Sequence, residues 1–437
     1  MELNGDVETS RRVQVRFITK LKSPMKIPTT SIAIPSNLTR MGLSTIVNDL
    51  IKAGNSDWEA LPFDFIIDGE LVRMSLEQFL LAKGISAEKI LEIEYIKAAV
   101  PRKQEDPCLH DDWVSAVSGA NSRFILTGSY DSFGRLWEAG GQCTHLLEGH
   151  KDAINSISVI NKKGVESKTS VHLATASKDR TLRLWRVDAE EPFNHPRKVT
   201  AYKVLKGHTA SVQSVVSHPS DDMVCSGSWD HTIKLWQTND SGAEGDLAST
   251  KKRKVGTDAK ESQSEAEAVS TLTGHTQCVS SVAWPEHERI YSASWDHSIR
   301  RWDIETGQSS WDVNTGKVIN CLDVGGEGSS LIAAGGSDPI LRIWDPRKPG
   351  SLAPVFQFSS HTSWITACKW HGKSWFHLLS GSYDGKVMLW DLRTAWPVAV
   401  IESHQDKVLC ADWWKDDCVV SGGADSKLCR SSEISIL

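Results

Sequence analysis

The first hundred residues change hydrophobic period several times. Val13, Val15 and Phe17 alternate with Gln14 and Arg16, which predicts a strand with one buried face, and Ile18 breaks the alternation. A second strand is expected around Ser31–Pro35. Asn37 is placed to cap a helix running to about Ala53. Its residues Leu43, Ile46, Val47, Leu50 and Ile51 share one face, and Gly54-Asn55 stops it. Phe63–Ile67 reads as a short apolar strand before an Asp68-Gly69 turn. Ser75 caps a shorter helix with Leu76, Phe79 and Leu80 inward, Gly84 ends it, and Ile90–Tyr95 returns to alternation. The order ββαβαβ fits a ubiquitin-like β-grasp unit over 11–97, behind a polar tail, 1–10, expected to be disordered.

From there on a different pattern repeats. Short apolar runs end in turns that carry an aspartate, and six residues later comes a tryptophan: Asp131/Trp137, Asp179/Trp185, Asp230/Trp236, Asp296/Trp302, Asp338/Trp344 and Asp384/Trp390. A seventh turn, at Asp425, has Ser431 in place of the tryptophan. Four residues before each aspartate lies Thr127, Thr175, Ser226, Ser292, Ala334, Ser380 or Ser421. Further back stand His110, His150, His208, His275, His361 and His404, with Gly316-Lys317 in the fifth repeat. This register predicts an all-β, seven-bladed WD-repeat propeller over 98–437. Ser, His and Asp together suggest a hydrolase triad. A set recurring in five complete copies reads instead as a structural tetrad, in which histidine bridges the turn carboxylate and the hydroxyl while the indole donates to that hydroxyl. The fifth repeat has lost histidine and hydroxyl together, as a mutually satisfied network predicts. The chain stops just past the third strand of the last blade, so its outer strand is expected from roughly Ala99–Cys108, closing the ring. Two insertions interrupt the spacing: polar 161–169, and 239–270, expected from its composition to be disordered.

The remaining features narrow the chemistry. Hydrophobic content of 40%, charged content of 24% and a net charge of −6 describe an ordinary soluble domain with no global basic excess for coating nucleic acid. The 9 cysteines form no CxxC pair, which points to a reducing compartment rather than a disulfide framework or a zinc site. No signal peptide or membrane span is expected, since no apolar run approaches the ~18 residues a span needs. There is no Gly-rich phosphate loop, HExxH or nucleophile elbow, so no enzyme and no cofactor is expected. Lys251, Lys252, Arg253 and Lys254 make a compact basic run that reads as a nuclear import signal or as a solvated charge run offsetting its acidic flanks. Tyr130, Trp229, Trp295 and Tyr383 each precede a turn aspartate, at the upper mouth of a propeller. They read as protein-binding hot spots, as packing between blades or, with little basic charge nearby in support, as a base-stacking platform. The tryptophans outside the tetrads and this rim, 58, 113, 284, 311, 364, 370, 375, 396, 413 and 414, are expected in the core or between blades.

The stretches LTRMGLSTIVNDL, PFDFIIDGELVRMSLEQFL and KGISAEKILEIEYIKAAVP resemble the NLE-domain WD-repeat ribosome-biogenesis family, over nearly the whole chain. The resemblance implies a non-enzymatic assembly factor for the large ribosomal subunit that also acts in pre-rRNA processing. It implies work on the pre-60S particle in the nucleus, within a PeBoW-type complex with the block-of-proliferation WD-repeat protein and pescadillo, in nucleolus and nucleoplasm. It also implies that the ubiquitin-like domain docks on the AAA ATPase midasin, which then removes the protein from the particle. In that family a G-[IL]-S-x-E motif lends its acid to a magnesium ion held by midasin. Gly84-Ile85-Ser86-Ala87-Glu88 matches it, so Glu88 is the implied ligand in trans. Two alternatives remain: a Notchless-like factor, which has an eighth blade, and a generic scaffold such as a ubiquitin-ligase receptor, for which Trp390-Asp391-Leu392-Arg393 is the matching pattern.

Overall fold

The computed structural model describes residues 12–432, apart from 22, 56–57, 59–60, 62, 73, 86–88, 98–102, 161–169, 189–194, 220–222, 240–263, 287, 327, 329, 349–352, 395–396 and 416, together with Ile434. Its backbone divides into two units, one of the residues up to Arg102 with Trp390–Ala399, the other of Lys103–Leu389 with Val400–Ser432. No described helix is long and apolar enough to cross a membrane.

The front unit runs β1 (Arg12–Ile18), β2 (Ser31–Pro35), α1 (Arg40–Gly54), β3 (Phe63–Ile67), β4 (Glu70–Leu71), α2 (Leu76–Lys83) and β5 (Leu91–Lys97). The sheet order is β2-β1-β5-β3-β4, with β1 and β5 parallel at its centre. Period-2 burial on β1 places Val13, Val15 and Phe17 against Leu43, Val47 and Ile51 of α1 and Phe63, Phe65 and Ile93 of the sheet. Ser75 caps α2 by accepting from the Gln78 amide, and Gly84 ends it in the left-handed region at φ 65°. The first helix departs from expectation. Its N-cap is Thr39, without a side-chain cap bond, and Asn37 lies outside it. The Leu38 and Ser36 carbonyls accept from the amides of Leu76 and Glu77, which ties this segment to the start of α2. Asn48 ties α1 to the following loop, accepting from Leu61 N and Trp58 Nε1 at 2.9 Å each and donating to Leu61 O at 2.7 Å.

The second unit holds seven sheets of four or five strands, antiparallel but for the edge strands Arg197–Val199 and Ser264–Ala266. The seven inner strands begin at Val114, Ile154, Val212, Val279, Ile319, Ile365 and Val408 and line a channel of about 660 Å³. A belt of polar bonds joins each inner strand to the next. Ser115 Oγ donates to Ile154 O, Asn155 Nδ2 to Val212 O at 2.8 Å, and Ser280 Oγ to Ile319 O at 2.6 Å. Asn320 Nδ2 reaches Ile365 O at 3.2 Å and Thr366 Oγ1 reaches Val408 O at 2.7 Å. The third junction uses Val282 N to Ser214 Oγ at 3.2 Å, and the last uses Cys410 Sγ to Val114 O at 3.5 Å. At the far end of the channel Asp323, Lys369 and Asp412 follow one another on neighbouring inner strands, with Lys369 Nζ 3.2 Å from Asp323.

The outer strand of the last blade comes from the segment between the units. β6 (Lys103–Gln104) pairs with Ser432 and Ser431, and β7 (Cys108–Leu109) with Leu428 and Lys427, so the ring closes as expected. Part of the stretch expected to be disordered is a strand. Ser264–Ala266 adds in parallel to the outer strand Lys203–Leu205 of the second blade, and Ser270 begins the outer strand of the third. Composition missed it because a parallel edge strand is held by backbone bonds to its neighbour and needs no apolar face of its own.

Replacing Asn48 with Ala should open the loop after α1 locally, leaving the Leu61 amide without its acceptor. A loss of about 2 kcal/mol corresponds to roughly 30-fold faster exchange at that amide. Hydrogen exchange of the full chain measures this, and unchanged protection at Leu61 would overturn the role given to Asn48.

Candidate functional site: the blade networks and the channel rim

Each blade's upper turn is built on its aspartate. One carboxylate oxygen accepts the amide two residues on, as from Phe133, Thr181, Thr232, Ser298, Lys386 and Lys427 at 2.9–3.3 Å. This is an Asx-type turn, and the intervening Ser132, Arg180, His231, His297, Gly385 and Ser426 sit at positive φ.

The histidine meets the second oxygen in four blades, and in the seventh it shares Oδ1 of Asp425 with the Lys427 amide. His150, His208, His275 and His361 place Nδ1 at 2.8–2.9 Å from Asp179, Asp230, Asp296 and Asp384, and His404 stands 3.0 Å from Asp425. Nε2 of the same rings lies 2.7–2.8 Å from Thr175, Ser226, Ser292, Ser380 and Ser421. The indoles of Trp185, Trp236 and Trp302 donate to Thr175, Ser226 and Ser292 at 2.8 Å. Trp390 is fully buried in the sixth blade. The proton bookkeeping is forced. The carboxylate takes Nδ1–H, so Nε2 accepts the hydroxyl proton, and the hydroxyl oxygen accepts the indole N–H. Burial, and Arg183 nearby, outweigh Asp179 and lower the His150 pKa, which keeps that imidazole neutral. Burial alone would raise the carboxyls of Asp179, Asp230 and Asp296, but bonds from histidine, hydroxyl and backbone hold all three below the usual range. Thr175, Ser226, Ser292 and Ser380 have no accessible surface, so these triad-like sets meet no substrate.

The first blade corrects the expected tetrad. His110 Nε2 meets Thr127 at 2.8 Å and Trp137 donates to Thr127 at 2.9 Å, but Asp131 does not bond the imidazole. Arg135 takes that carboxylate at 2.7 Å and Asp111 at 3.1 Å, leaving His110 Nδ1 buried without a hydrogen-bond partner. The cause is the second acid: Asp111 directly follows His110, and a guanidinium can fork between two carboxylates where a neutral imidazole cannot. In the fifth blade Arg342 likewise holds Asp338, at 2.6 and 3.0 Å, and Trp344 Nε1 is buried without a partner. An arginine four residues after the turn aspartate is no signal by itself, since Arg183 and Arg300 stand at the same place in blades whose histidine keeps the aspartate.

The rim positions come in pairs. The amides of Tyr130, Trp229, Trp295 and Tyr383 donate to the carbonyls of Trp113, Ser211, Cys278 and Trp364, each just before an inner strand. Tyr130 and Trp229 are 43% and 42% exposed, while Trp295 and Tyr383 are half-buried. Trp113 and Trp364, expected inside, are 41% and 49% exposed. Trp364 stacks on Tyr383 with centroids 5.9 Å apart, Trp113 tilts over Tyr130 at 5.4 Å, and Trp229 meets Trp295 edge-on at 4.8 Å. Lys407 lies 5.0 Å above the Tyr383 ring. Trp375, also expected inside, is exposed on the loop after the sixth inner strand. Trp284, Trp370, Trp413 and Trp414 are buried, Trp58 and Trp311 are half-buried, and Trp396 lies outside the described residues. Spacing from the turn aspartate finds one rim residue per blade, whereas its partner across the hairpin is a matter of register. Glu88 and the run Lys251, Lys252, Arg253 and Lys254 lie outside the described residues. Among the described residues no cluster of three or more metal-ligating side chains occurs.

These features define a WD-repeat propeller with a small β-grasp domain in front. Family models agree: the NLE (NUC135) domain matches residues 13–80, the WD domain, G-beta repeat, matches 141–186 and 200–237, and the nucleolar protein 10-like N-terminal domain, a β-propeller, matches 281–430. The ribosome biogenesis protein WDR12 homolog of Arabidopsis thaliana is 64% identical over 436 residues, covering 100% of both chains. That of Oryza sativa subsp. japonica is 61% identical over 440 residues, again across 100% of both, and that of Chlamydomonas reinhardtii is 37% identical over 95% of this chain and 97% of its own. The chain belongs to the WDR12 ribosome-biogenesis family.

Two predictions follow from the networks. Trp302→Phe strands the Ser292 hydroxyl, whereas Trp344→Phe removes an indole N–H that bonds nothing. Trp302→Phe should therefore cost about 1–2 kcal/mol more, read from urea midpoints, and equal losses would contradict the bonding scheme. The second concerns acid. His110 is pushed down to about 4 from 6.5, first by burial and then by the Arg135 charge. A depressed imidazole pKa means the folded state resists protonation. The stability is complete above about pH 6.5 and is lost as pH falls from there towards 4. Between pH 7 and pH 5 this one ring should cost about 2 kcal/mol, and His110→Gln should flatten the pH slope by that amount.

Proposed function

We propose that this chain is a non-enzymatic assembly factor for the large ribosomal subunit, acting in pre-rRNA processing as a scaffold of a PeBoW-type complex. In this reading the propeller holds the block-of-proliferation WD-repeat protein, which also binds pescadillo, and the front domain docks on midasin. Glu88 supplies one oxygen to the magnesium ion held by that ATPase, whose action removes the protein from the pre-60S particle. The work takes place in nucleolus and nucleoplasm, with Lys251–Lys254 as the import signal.

The observation that carries this reading is the similarity of both units, in one order and at full length, to the WDR12 homologs. The rim supports the docking part. Paired, stacked indoles and phenols hold large areas in fixed orientations, so little side-chain entropy is lost when a partner covers them. Burial, then the neighbouring Tyr383 and the acids Asp112 and Asp152, raise the Tyr130 phenol pKa.

Affinity purification of the tagged full chain tests the reading. Wild type should bring down both partner proteins and pre-ribosomal RNA. Trp364→Ala with Trp113→Ala should weaken the WD-repeat partner by roughly 30-fold or more, equivalent to about 2 kcal/mol, and leave midasin bound. Glu88→Ala or Glu88→Asp should abolish magnesium-dependent midasin binding and leave the other partners. Undiminished midasin binding by the Glu88 variants would remove that residue's role, and recovery of a ubiquitin ligase without pre-ribosomal RNA would replace the reading altogether.

A further inference from the structure

The ring is closed by an interrupted ladder, and that ladder is the first part of the propeller the chain reaches after the front unit. β6 and β7 contribute two paired residues each to the strand Lys427–Ser432. Between them the register slips by one residue, at a segment containing Pro107, which has no amide to donate. Glu105 N to Arg430 O at 3.1 Å and His110 N to Ser426 O at 2.9 Å complete the backbone contacts. Arg430, buried in the blade that lacks the tryptophan, bonds Glu105 at 2.9 Å and the Ala139 carbonyl of the first blade. The next residue inward is His110, whose imidazole lost its aspartate to Arg135. Three residues later comes Trp113 of the rim.

We propose that β6 and β7 are a release strap: tension drawn on the front unit unzips the closing strand, opens the ring between the seventh and first blades, and drags Trp113 from the rim. The inference deepens the proposed function, and its biological use rests on that reading, in which an ATPase pulls the front domain. Connectivity sets the order of events. The ladder is antiparallel, and its outermost pair is Lys103 with Ser432. A pull on the chain before Lys103 loads that end pair alone and then each following pair in turn. In the front unit β1 and β5 are parallel, joined from Val15/Leu91 to Ile18/Glu94. A load entering at Arg12 and leaving at Lys97 shears all of those pairs at once. A sequentially loaded ladder fails at lower force than one loaded in parallel, so the strap yields while the front domain stays folded. The strand Lys427–Ser432 stays in place through its other edge, which pairs with Val419–Gly422.

Optical-tweezers extension of the full chain, held at its two ends, reads this directly. The expected first event is a short step of about 25 Å, the length of seven extended residues, followed at higher force by a step roughly tenfold longer as the front domain unfolds. Gln104→Cys with Ser431→Cys joins the pair next to the outermost. Oxidised, this variant should lose the short step and keep the long one; reduced, it should show both, which controls for folding. Glu105→Ala should lower the force of the short step alone. A long step that comes first, or a short step that survives oxidation, would overturn the strap. The measurement uses neither ATPase nor partner. Its failure therefore leaves the proposed function standing, while loss of the midasin interaction would overturn that function and leave the short step intact.

Discussion

Every blade of this propeller carries a carboxylate in a turn where water barely reaches it, and its neutralisation is the constraint on which the unit depends. The aspartate side chains of the seven turns are 5–13% exposed. Removing such a group from water costs several kcal/mol, which must be offset by bonds inside the same blade. The aspartate is needed because its short side chain folds the turn, and the histidine is needed because the aspartate is there. The hydroxyl satisfies the far side of the histidine, and the indole satisfies the hydroxyl. Arginine four residues on is a second solution to the same problem, used in the first and fifth blades. It leaves a buried imidazole nitrogen in one and a buried indole nitrogen in the other without a bond, so the substitute neutralises the charge but does not complete the chain.

What could be read from the sequence follows from this distinction. The tetrads and the blade count were legible because each blade repeats one local arrangement at fixed spacing, and β1, β3 and α2 because their periods and cap are local too. Two kinds of feature were not. Competition was one: nothing in the spacing of His110 and Asp131 says that Asp111 will draw Arg135 between them. Pairing across the hairpin was the other. Trp113 and Trp364 are ordinary apolar letters until register places them opposite Tyr130 and Tyr383. The strand Ser264–Ala266 and the role of Asn48 belong with these, since each depends on a partner 13 to 61 residues distant.

The belt of side chains around the channel converts seven satisfied blades into one ring. Hydroxyl and amide groups of one inner strand donate to backbone carbonyls of the next, so a blade cannot shift without breaking a bond to its neighbour. That rigidity gives the rim its meaning. The aromatic pairs hang from backbone bonds at the tops of inner strands, and their spacing is inherited from the belt. A surface of this kind suits a protein whose task is to hold partners in a set geometry, and it agrees with hydroxyls that are all committed inside the blades.

The seam departs from this uniformity. At six junctions a blade is covalently continuous with the next, and the seventh is held by β6, β7 and Arg430 on the outside and by bonds of Cys410, Asp412 and Trp414 with Val114, Gly119 and Asn121 further in. The blade on one side of the seam lacks the tryptophan, and the blade on the other has given its carboxylate to arginine. Both departures lower the local cohesion of the same junction, and both rim residues of the first blade, Trp113 and Tyr130, stand beside it. If stability alone had shaped the ring, its closing ladder would be expected to run unbroken. A ladder broken by proline and a register slip, fed directly by the chain that joins the two units, is instead suited to holding under thermal motion and parting under directed load.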